Sequence, residues 1–449
     1  MIRCDVAIVG GGFSGAMVAA HLARNGGSNV GVRLFEAGED EIGRGAAYGT
    51  PHPQHLLNTR ASAMSAYPGA PDHFVRWLGS NASPDAFLSR RCFGDYVAEI
   101  ARNAFALPTF TTVRDLVVSV VRDGDLYVVT TACGARFSAR AVVLATGNAL
   151  PNDDFLPAEL TGYGRYVGDP WRFDYSRVRG DVLVIGSGLT AIDALVAMDS
   201  GGHRGMIHIV SRHARFPETH AERLERYEVV PVLDAGDARS LVRSFRRQIA
   251  EAGRRGYDWR AVVDAIRPEA ETIWRRLSAV EQCRFDRHLR AAWERHRHRV
   301  PLEVDATRRR YLRSGRLVVH AGRVAEFRSS TVFVEARDGS VLRLRPEWIL
   351  NCTGTGRRRR IFGDPLIAGL VRDGLALPDP LGLGIRVDPD DAVVTAGRSE
   401  PKTMWVVGPL ARGSRFESTA VPELRTAAES VARRALDAIA SERWAVARA

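Results

Sequence analysis

Two glycine-rich turns constrain the fold of this chain more than any other feature. Each turn lies between an apolar run typical of a buried parallel strand and a segment with the apolar spacing of a helix, in "DVAIVGGGFSGA" at 5–16 and "DVLVIGSGLTAID" at 181–193. The small residues that define the turns are Gly10, Gly12 and Gly15, and Gly186, Gly188 and Ala191. In such turns the first small residue permits the tight bend, the second allows close approach of a pyrophosphate, and the third allows close helix packing. We therefore predict an α/β fold with two Rossmann-like dinucleotide-binding domains.

The strand that follows each turn ends in a residue of opposite charge. Glu36 lies 21 positions after Gly15 (36 − 15), where a carboxylate accepts hydrogen bonds from ribose hydroxyls. Arg212 lies 21 positions after Ala191 (212 − 191), where a guanidinium suits a 2′-phosphate that a carboxylate would repel. The pattern predicts FAD at the first turn and NADPH at the second, with a hydride passing from one to the other.

These two motifs define the predicted cofactor contacts. The FAD contacts at the first turn and the following strand end are Gly10, Gly12, Phe13, Ser14, Gly15, Glu36 and Ala37. The NADPH contacts at the second turn and the following strand end are Gly186, Gly188, Leu189, Thr190, Ala191, Ser211, Arg212 and Arg215.

Composition excludes several other classes of protein. The five cysteines among 449 residues are far apart and form no CxxC pair, so neither a disulfide framework nor a metal site is predicted. The formal net charge is +11, but its arginines are scattered along the chain, which argues against a nucleic-acid partner. No apolar run is long enough to span a membrane. We expect a cytoplasmic enzyme with a small-molecule substrate, either a monomer or a homodimer.

The spacing of the motifs predicts a discontinuous domain. We expect the FAD domain to cover residues 1–170 and 350–449, with the NAD(P)H domain inserted at 171–349. Within the inserted domain, helical apolar spacing over 235–300 predicts a helical insertion. The run "RHRHR" at 295–299 is interpreted as a solvated helix face, with contact to NADPH phosphates or an acidic substrate as the alternative.

Further stretches resemble a known group of proteins. The segments "VVLATGN" at 142–148 and "ILNCTGTG" at 349–356 resemble those that close the two domains of flavoproteins with two dinucleotide-binding domains. That group holds flavin-containing monooxygenases, N-hydroxylating monooxygenases and pyridine-nucleotide reductases. More narrowly, three stretches resemble a bacterial FAD/NAD(P)-binding family: "AAYGTPHPQHLLNTRASAMSAYPGAPDHFVRWL" at 46–78, "HLRAAWERHRHRV" at 288–300 and "VVGPLARGSRFESTAVPELR" at 406–425.

The resemblance implies additional FAD contacts. Thr146 and Gly147 are expected near the cofactor, and Val117 is expected to touch the adenine through its backbone. Gly408 and Pro409 stand where related flavoproteins often carry Gly-Asp, so the aspartate that binds the ribityl chain is absent from this sequence. The backbone at Gly408 and the helix that begins near Val421 are still expected to face the flavin.

The resemblance to this group implies that NADPH reduces the flavin, which then passes the electrons to an acceptor. In the monooxygenase branch, reduced FAD and oxygen form a C4a-hydroperoxyflavin that oxygenates a small nucleophilic metabolite, and the protein's task is to exclude water rather than to supply a nucleophile. Asn58 and His55 are the candidate catalytic residues, because they lie in a segment that crosses the flavin in related proteins. The alternatives are an NAD(P)H:acceptor oxidoreductase or oxidase, and a non-catalytic redox-sensing flavoprotein.

Overall fold

A computed structural model describes residues 1–38, 42–228, 236–397 and 402–446 of the chain. The chain forms two compact units, each assembled from more than one stretch of sequence. The first unit comprises Met1–Pro51, Thr59–Ala149 and Arg357–Ala449, and the second comprises His52–Asn58 and Leu150–Gly356.

The first unit is built on a mainly parallel sheet. Its strands, numbered in chain order, are β1 (Ile2–Val9), β2 (Val32–Phe35), β3 (Phe110–Val113), β4 (Val117–Asp123), β5 (Leu126–Thr131), β6 (Arg136–Leu144) and β14 (Met404–Val406). The strand order is β3-β2-β1-β6-β5-β4, and β14 pairs in parallel with the end of β6. Val6, Ala7 and Ile8 of β1 are fully buried, as expected for a central parallel strand covered on both faces.

Helices complete the first unit. They are α1 (Phe13–Gly26), α2 (Gly45–Tyr48), α3 (His73–Leu78), α4 (Arg90–Ala104), α13 (Arg358–Phe362), α14 (Pro365–Arg372) and α15 (Val421–Val446). The helix α1 follows β1 directly, so its N-terminus lies at the carboxyl end of the parallel strands, where ligands bind in open α/β sheets.

The second unit repeats this plan with an antiparallel extension. Its strands are β7 (Tyr166–Val167), β8 (Val182–Ile185), β9 (Ile207–Ser211), β10 (Leu317–Arg328), β11 (Thr331–Ala336), β12 (Val341–Leu344) and β13 (Trp348–Asn351). They pair in the order β12-β11-β10-β9-β8-β13-β7. Its helices are α5 (Ala158–Thr161), α6 (Leu189–Ser200), α7 (Ala238–Arg254), α8 (Trp259–Ile266), α9 (Ala270–Arg276), α10 (Ala279–His288), α11 (Arg290–Arg297) and α12 (Leu302–Arg313). The predicted fold class is confirmed.

The predicted helical insertion consists of α7 to α11. Side-chain caps set where three of these helices begin. The side chains accept hydrogen bonds from backbone N–H groups at the starts of α7, α8 and α10, and they belong to Asp237, Asp258 and Ser278. A separate apolar cluster that includes Tyr227 and Ile266 holds the helices together. Residue 235, the first of the predicted insertion, lies outside the described residues.

The interpretation of residues 295–299 as a solvated face is wrong. Arg297 and Arg299 are buried, and a guanidinium nitrogen of Arg299 lies 2.5 Å from a carboxylate oxygen of Asp264. Arg295 forms an ion pair with Glu218. The carboxylates compensate the charges of Arg295 and Arg299, so Arg295 ties the helical insertion to the rest of the second unit and Arg299 ties its last residues to α8.

The compact units divide at positions that differ from the predicted domain boundaries. The first unit ends at Ala149 and resumes at Arg357, whereas the prediction put the change-overs at 170 and 350. Residues 166–167 form β7, which pairs with β13 in the second sheet. Short strands of this kind carry too little periodicity to be assigned from sequence.

No helix within the described ranges is long and apolar enough to cross a membrane.

Two histidines face each other on neighbouring strands of the second sheet. Nδ1 of His208 on β9 lies 3.1 Å from Nε2 of His320 on β10, and the rings are stacked with centroids 5.3 Å apart. Such a contact needs one nitrogen as donor and the other as acceptor, so at least one ring is neutral. Burial lowers the pKa of both histidines below its ordinary value.

We expect the protein to lose stability as the pH falls below about 6.5, the ordinary pKa of histidine. The unfolded chain binds protons there that the folded chain does not, so the free energy of unfolding declines. Thermal unfolding followed by circular dichroism at about pH 7.5 and about pH 5.5 measures the effect. The unfolding midpoint should fall by about 2–4 °C for each 1 kcal/mol of stability lost. A His208→Gln/His320→Gln double variant should lose part of this pH dependence, while buried His203 keeps another part. An unchanged pH dependence in the double variant would show that His208 and His320 do not cause the loss of stability.

Candidate functional site

The first glycine turn has a geometry that larger residues cannot adopt. Gly10 follows β1 with φ +105°, and a Cβ atom there would lie 2.2 Å from the carbonyl oxygen of Ala145. A Cβ atom on Gly15 would lie 1.9 Å from the carbonyl oxygen of Gly10. Both distances are far below van der Waals contact, so glycine at these positions is required by the packing of β1, α1 and the end of β6.

Gly12 differs from Gly10 and Gly15, because a Cβ atom there would make only an ordinary van der Waals contact. A Cβ atom at Gly12 would have no neighbour closer than the Gly45 Cα atom at 3.7 Å. Gly12 is also the N-cap of the 14-residue helix α1 and brings no side-chain cap. No described side chain caps the first backbone N–H groups of α1, and such groups at the positive end of a helix dipole are suited to bind a pyrophosphate.

The Glu36 carboxylate is held by backbone amides. Oε2 accepts a hydrogen bond from the Gly11 N–H at 2.7 Å, and Oε1 accepts one from the Gly38 N–H at 2.7 Å. Each carboxylate oxygen has a second acceptor direction, so the group fits ribose hydroxyls in a fixed orientation. Ala37 is exposed in the same loop.

Val117 lies close to this strand end. It belongs to the same apolar cluster as Phe35, the last residue of β2. The loop before it is tied to the Glu36 loop, because Arg114 donates to the Gly38 carbonyl at 2.9 Å.

A segment that the sequence analysis missed covers the first turn. The Gly43 N–H donates to the Gly11 carbonyl at 2.7 Å, and α2 follows immediately. The ring of Phe13 packs against Tyr48 of α2 and Phe93 of α4, with centroids 6.3 Å and 5.9 Å apart. The side chain of Phe13 is thus used for packing, which leaves its backbone for the cofactor. The signal in the sequence was the glycine spacing of "IGRGAAYG" at 42–49.

Four other predicted FAD contacts lie in the two segments that approach the first turn. A Cβ atom at Gly10 would lie 3.2 Å from the Thr146 Cα atom, and Thr146 and Gly147 are exposed after β6. Gly408, with φ +124°, lies so that a Cβ atom there would be 3.4 Å from Oγ of Ser14 on α1. Pro409 begins the short 3₁₀ turn that follows. The structure therefore brings the strand ends of β6 and β14 to the start of α1.

The second turn repeats the first. Gly186 has φ +109°, and a Cβ atom there would lie 2.2 Å from the carbonyl oxygen of Cys352. Around Gly188, no described atom lies within 4 Å of such a Cβ position. Helix α6 begins at the next residue, and Ala191 is fully buried against the sheet. Leu189 and Thr190, in the first turn of α6, are half-buried.

The end of β9 presents cationic side chains to solvent. Ser211 is the last residue of β9, and Arg212, His213 and Arg215 follow it as exposed side chains. No carboxylate forms an ion pair with these arginines in the part of the chain that the structure describes. The second nucleotide site therefore has the opposite electrostatic character to the Glu36 site.

The candidate catalytic residues belong to the second unit. His55 is buried, and its Nε2 donates to the backbone carbonyl of Asp193 on α6 at 3.0 Å. The backbone carbonyl of Asn58 accepts a hydrogen bond from Nε2 of His220 at 3.0 Å. The His55 ring thus anchors the segment 52–58 to α6, while Asn58 is half-buried. The catalytic assignments of both residues remain predictions.

Burial makes the thiols nearest the sheets poor nucleophiles. Desolvation raises the pKa of Cys4 to about 12 and raises the pKa of Cys352 well above its ordinary value. All five cysteines are free, including Cys133 and Cys283 at the surface. Within the described ranges, no group of three or more His, Cys, Asp or Glu side chains is arranged to hold a metal ion.

Residues 7–149 match the model of a family described as FAD-NAD(P)-binding. This range covers the first glycine turn, Glu36, Val117 and the end of β6, so the first unit contains an FAD/NAD(P)-binding domain. No curated protein matches the sequence significantly.

Solved structures share the fold over nearly the whole chain. The reduced form of ornithine hydroxylase from Pseudomonas aeruginosa covers 98% of this chain and 100% of its own length, with 15% identity and a TM-score of 0.62. Ornithine N-hydroxylase from Kutzneria sp. 744 covers 97% and 99%, with 18% identity and a TM-score of 0.60. Bacillithiol disulfide reductase from Staphylococcus aureus also covers 97% and 99%, with 12% identity and a TM-score of 0.60.

The fold is that of flavoproteins with two dinucleotide-binding domains, and the predicted resemblance to that group is confirmed. The cofactors are FAD and NAD(P), as the two glycine turns predict. Together these findings support an FAD/NAD(P)-dependent oxidoreductase.

Substitutions at Gly10 and Gly12 should separate folding from cofactor binding. Gly10→Ala places a methyl group on a carbonyl oxygen and strains a positive φ, so the free energy of unfolding should fall by more than about 2 kcal/mol. Gly12→Ala places its methyl group in ordinary van der Waals contact with Gly45, so the free energy of unfolding should change little while FAD binding weakens at least about tenfold. Thermal unfolding and the flavin absorbance per protein measure both effects. A Gly12→Ala protein with full FAD content would argue against a pyrophosphate at this turn.

Proposed function

We propose that the protein is an FAD-dependent, NADPH-using monooxygenase that oxygenates a small nucleophilic metabolite. The observation that carries this proposal is the pairing of two similar turns with opposite charges: an amide-held carboxylate at the first, and exposed arginines at the second. Two identical nucleotides would not need opposite electrostatics. A flavin nucleotide and a 2′-phosphorylated nicotinamide nucleotide do.

The first unit has residues suited to hold FAD. The N–H groups at Gly12 and Phe13 would bind the diphosphate, and Glu36 would accept the ribose hydroxyls of the adenosine half. When bound, FAD accepts a hydride from NADPH and passes the electrons to oxygen or another acceptor. Because no aspartate follows Gly408, the backbone at Gly408 is assigned to the ribityl side of the site.

The second unit has residues suited to hold NADPH. The N-terminus of α6 behind Gly188 would bind the pyrophosphate, and Arg212 and Arg215 would bind the 2′-phosphate through charge-assisted hydrogen bonds. Asn58 is assigned to the nicotinamide end, because its backbone carbonyl is tied to His220 in the same unit and its side-chain NH₂ is a donor that takes no part in proton exchange. His55 is assigned a positioning role through its bond to α6.

Thiol chemistry argues against a disulfide reductase, a class that occurs among the structural neighbours. Disulfide reduction by a cysteine pair needs two thiols close together, one of them readily ionised. Here the sequence has no CxxC pair, and burial raises the pKa of Cys4, Cys92 and Cys352. N-hydroxylases also occur among the structural neighbours, and oxygen transfer by a flavin would need no protein thiol, which favours the oxygenation branch.

The nicotinamide assignment predicts a selective effect of Arg212→Ala. Loss of the guanidinium should raise the KM for NADPH by about 10- to 100-fold, the worth of a charge-assisted hydrogen bond to phosphate. The KM for NADH should change by less than about twofold, because NADH carries no 2′-phosphate. Steady-state NAD(P)H oxidation measures both constants. Equal changes for the two nucleotides would remove the basis for NADPH preference.

The oxygenation assignment predicts how the reduced protein reacts with oxygen. Anaerobic mixing with NADPH should bleach the flavin absorbance. Later mixing with oxygenated buffer should restore this absorbance in more than one kinetic phase, with slow release of hydrogen peroxide. Adding a small amine or sulfide should couple NADPH oxidation to an oxygenated product; L-ornithine is one suitable probe. Immediate release of one peroxide per NADPH would identify an oxidase, and rapid reoxidation only by quinones would identify a reductase. Either result would contradict the monooxygenase proposal.

A further inference from the structure

Ser187 occupies the variable position of the second turn, between Gly186 and Gly188. Its hydroxyl oxygen lies 2.7 Å from the backbone carbonyl of Arg215 and 2.9 Å from the hydroxyl oxygen of Ser211. The glycine turn is thus bonded directly to the loop that displays the arginines. This contact joins two parts of the nucleotide site that are 28 residues apart in sequence.

Ser187 is the donor in this contact. A carbonyl only accepts, so the Ser187 hydroxyl donates its hydrogen to Arg215. The same hydroxyl hydrogen can point instead to the Ser211 hydroxyl oxygen, which also accepts a hydrogen bond from the backbone N–H of Ala214 at 3.1 Å. The result is a hydrogen-bond relay that links Ala214, Ser211, Ser187 and Arg215, in which Ser187 is the hydroxyl that donates to the loop.

The relay fixes a loop conformation that is unfavourable by itself. Ala214 has φ +49°, in the left-handed region that residues with a Cβ atom seldom adopt. The side chains of Arg212 and Arg215 flank this residue and are exposed. An arginine loop held in one conformation loses less conformational entropy on binding a phosphate than a mobile loop does.

We infer that Ser187 is a specificity-determining positioning residue for the second nucleotide, because its hydroxyl holds the Ser211–Arg215 loop in the conformation that receives a 2′-phosphate. This inference rests on the proposed NADPH specificity. Ser187 acts through the loop: removing its hydroxyl leaves the Arg215 carbonyl and the Ser211 hydroxyl oxygen without this donor, while the turn glycines and α6 stay in place.

The experiment uses fragments that differ only in the 2′-phosphate. Binding of adenosine 2′,5′-bisphosphate and of adenosine 5′-monophosphate to the purified holoprotein is measured by calorimetry, and the ratio of their two Kd values gives the preference for the phosphate. Ser187→Ala should reduce this ratio by about tenfold, the worth of one to two neutral hydrogen bonds. Its affinity for the monophosphate should stay within about twofold. Ser187→Thr, which keeps the hydroxyl, should retain most of the preference.

The matched control is Ser200→Ala at the exposed end of the same helix α6, which should leave the ratio unchanged. If the wild-type protein binds both fragments equally, the proposed NADPH specificity fails. If the wild type prefers the 2′-phosphate and Ser187→Ala keeps that preference, the inference alone is overturned. Equal loss of affinity for both fragments, with an unchanged unfolding midpoint, would also overturn it, because Ser187 would then act on the turn and not on the arginine loop.

Discussion

One close contact, made twice, underlies both nucleotide sites. The first glycine of each turn approaches the carbonyl oxygen of the residue that follows the neighbouring parallel strand: Gly10 meets Ala145, and Gly186 meets Cys352, each with 2.2 Å between that oxygen and the position a Cβ would take. The amide of each glycine also donates to the end of the next strand, Phe35 or Val210, at 2.8 Å. These contacts hold the carboxyl ends of three adjacent strands together. Only a residue without a side chain fits there.

The two sites diverge beyond this shared frame. In the first, Glu36 is oriented by the N–H groups of Gly11 and Gly38, so the carboxylate itself is built into the turn. In the second, the residue after Gly186 is a serine whose hydroxyl reaches the loop beyond β9. Backbone amides can hold a carboxylate but would not orient a guanidinium, which has no acceptor. At the second turn, the hydrogen bond from Ser187 therefore holds the backbone of the arginine loop rather than the arginine side chains.

His55 and His220 hold the segment 52–58 through bonds to backbone carbonyls. His55 is buried with Nε2 bonded to a helix carbonyl, and His220 holds the Asn58 carbonyl. Each bond satisfies a backbone acceptor of the second unit, where an unpaired acceptor is costly if buried. Asn58 is half-buried and takes part in this contact through its backbone, and the nicotinamide role of its side chain stays a proposal.

The sequence by itself determined the α/β class, the two turns and the charge that follows each of them, because glycine spacing and strand–helix periodicity are local properties. It also predicted the helical insertion, although burial of Arg297 and Arg299 depends on partners such as Asp264 that are distant in sequence. Only the tertiary structure decided that residues 52–58 and 150–170 belong to the second unit, that α2 covers the first turn, and that Ser187 bonds to the arginine loop. Those features depend on contacts between residues far apart along the chain, which periodicity and motif spacing do not encode.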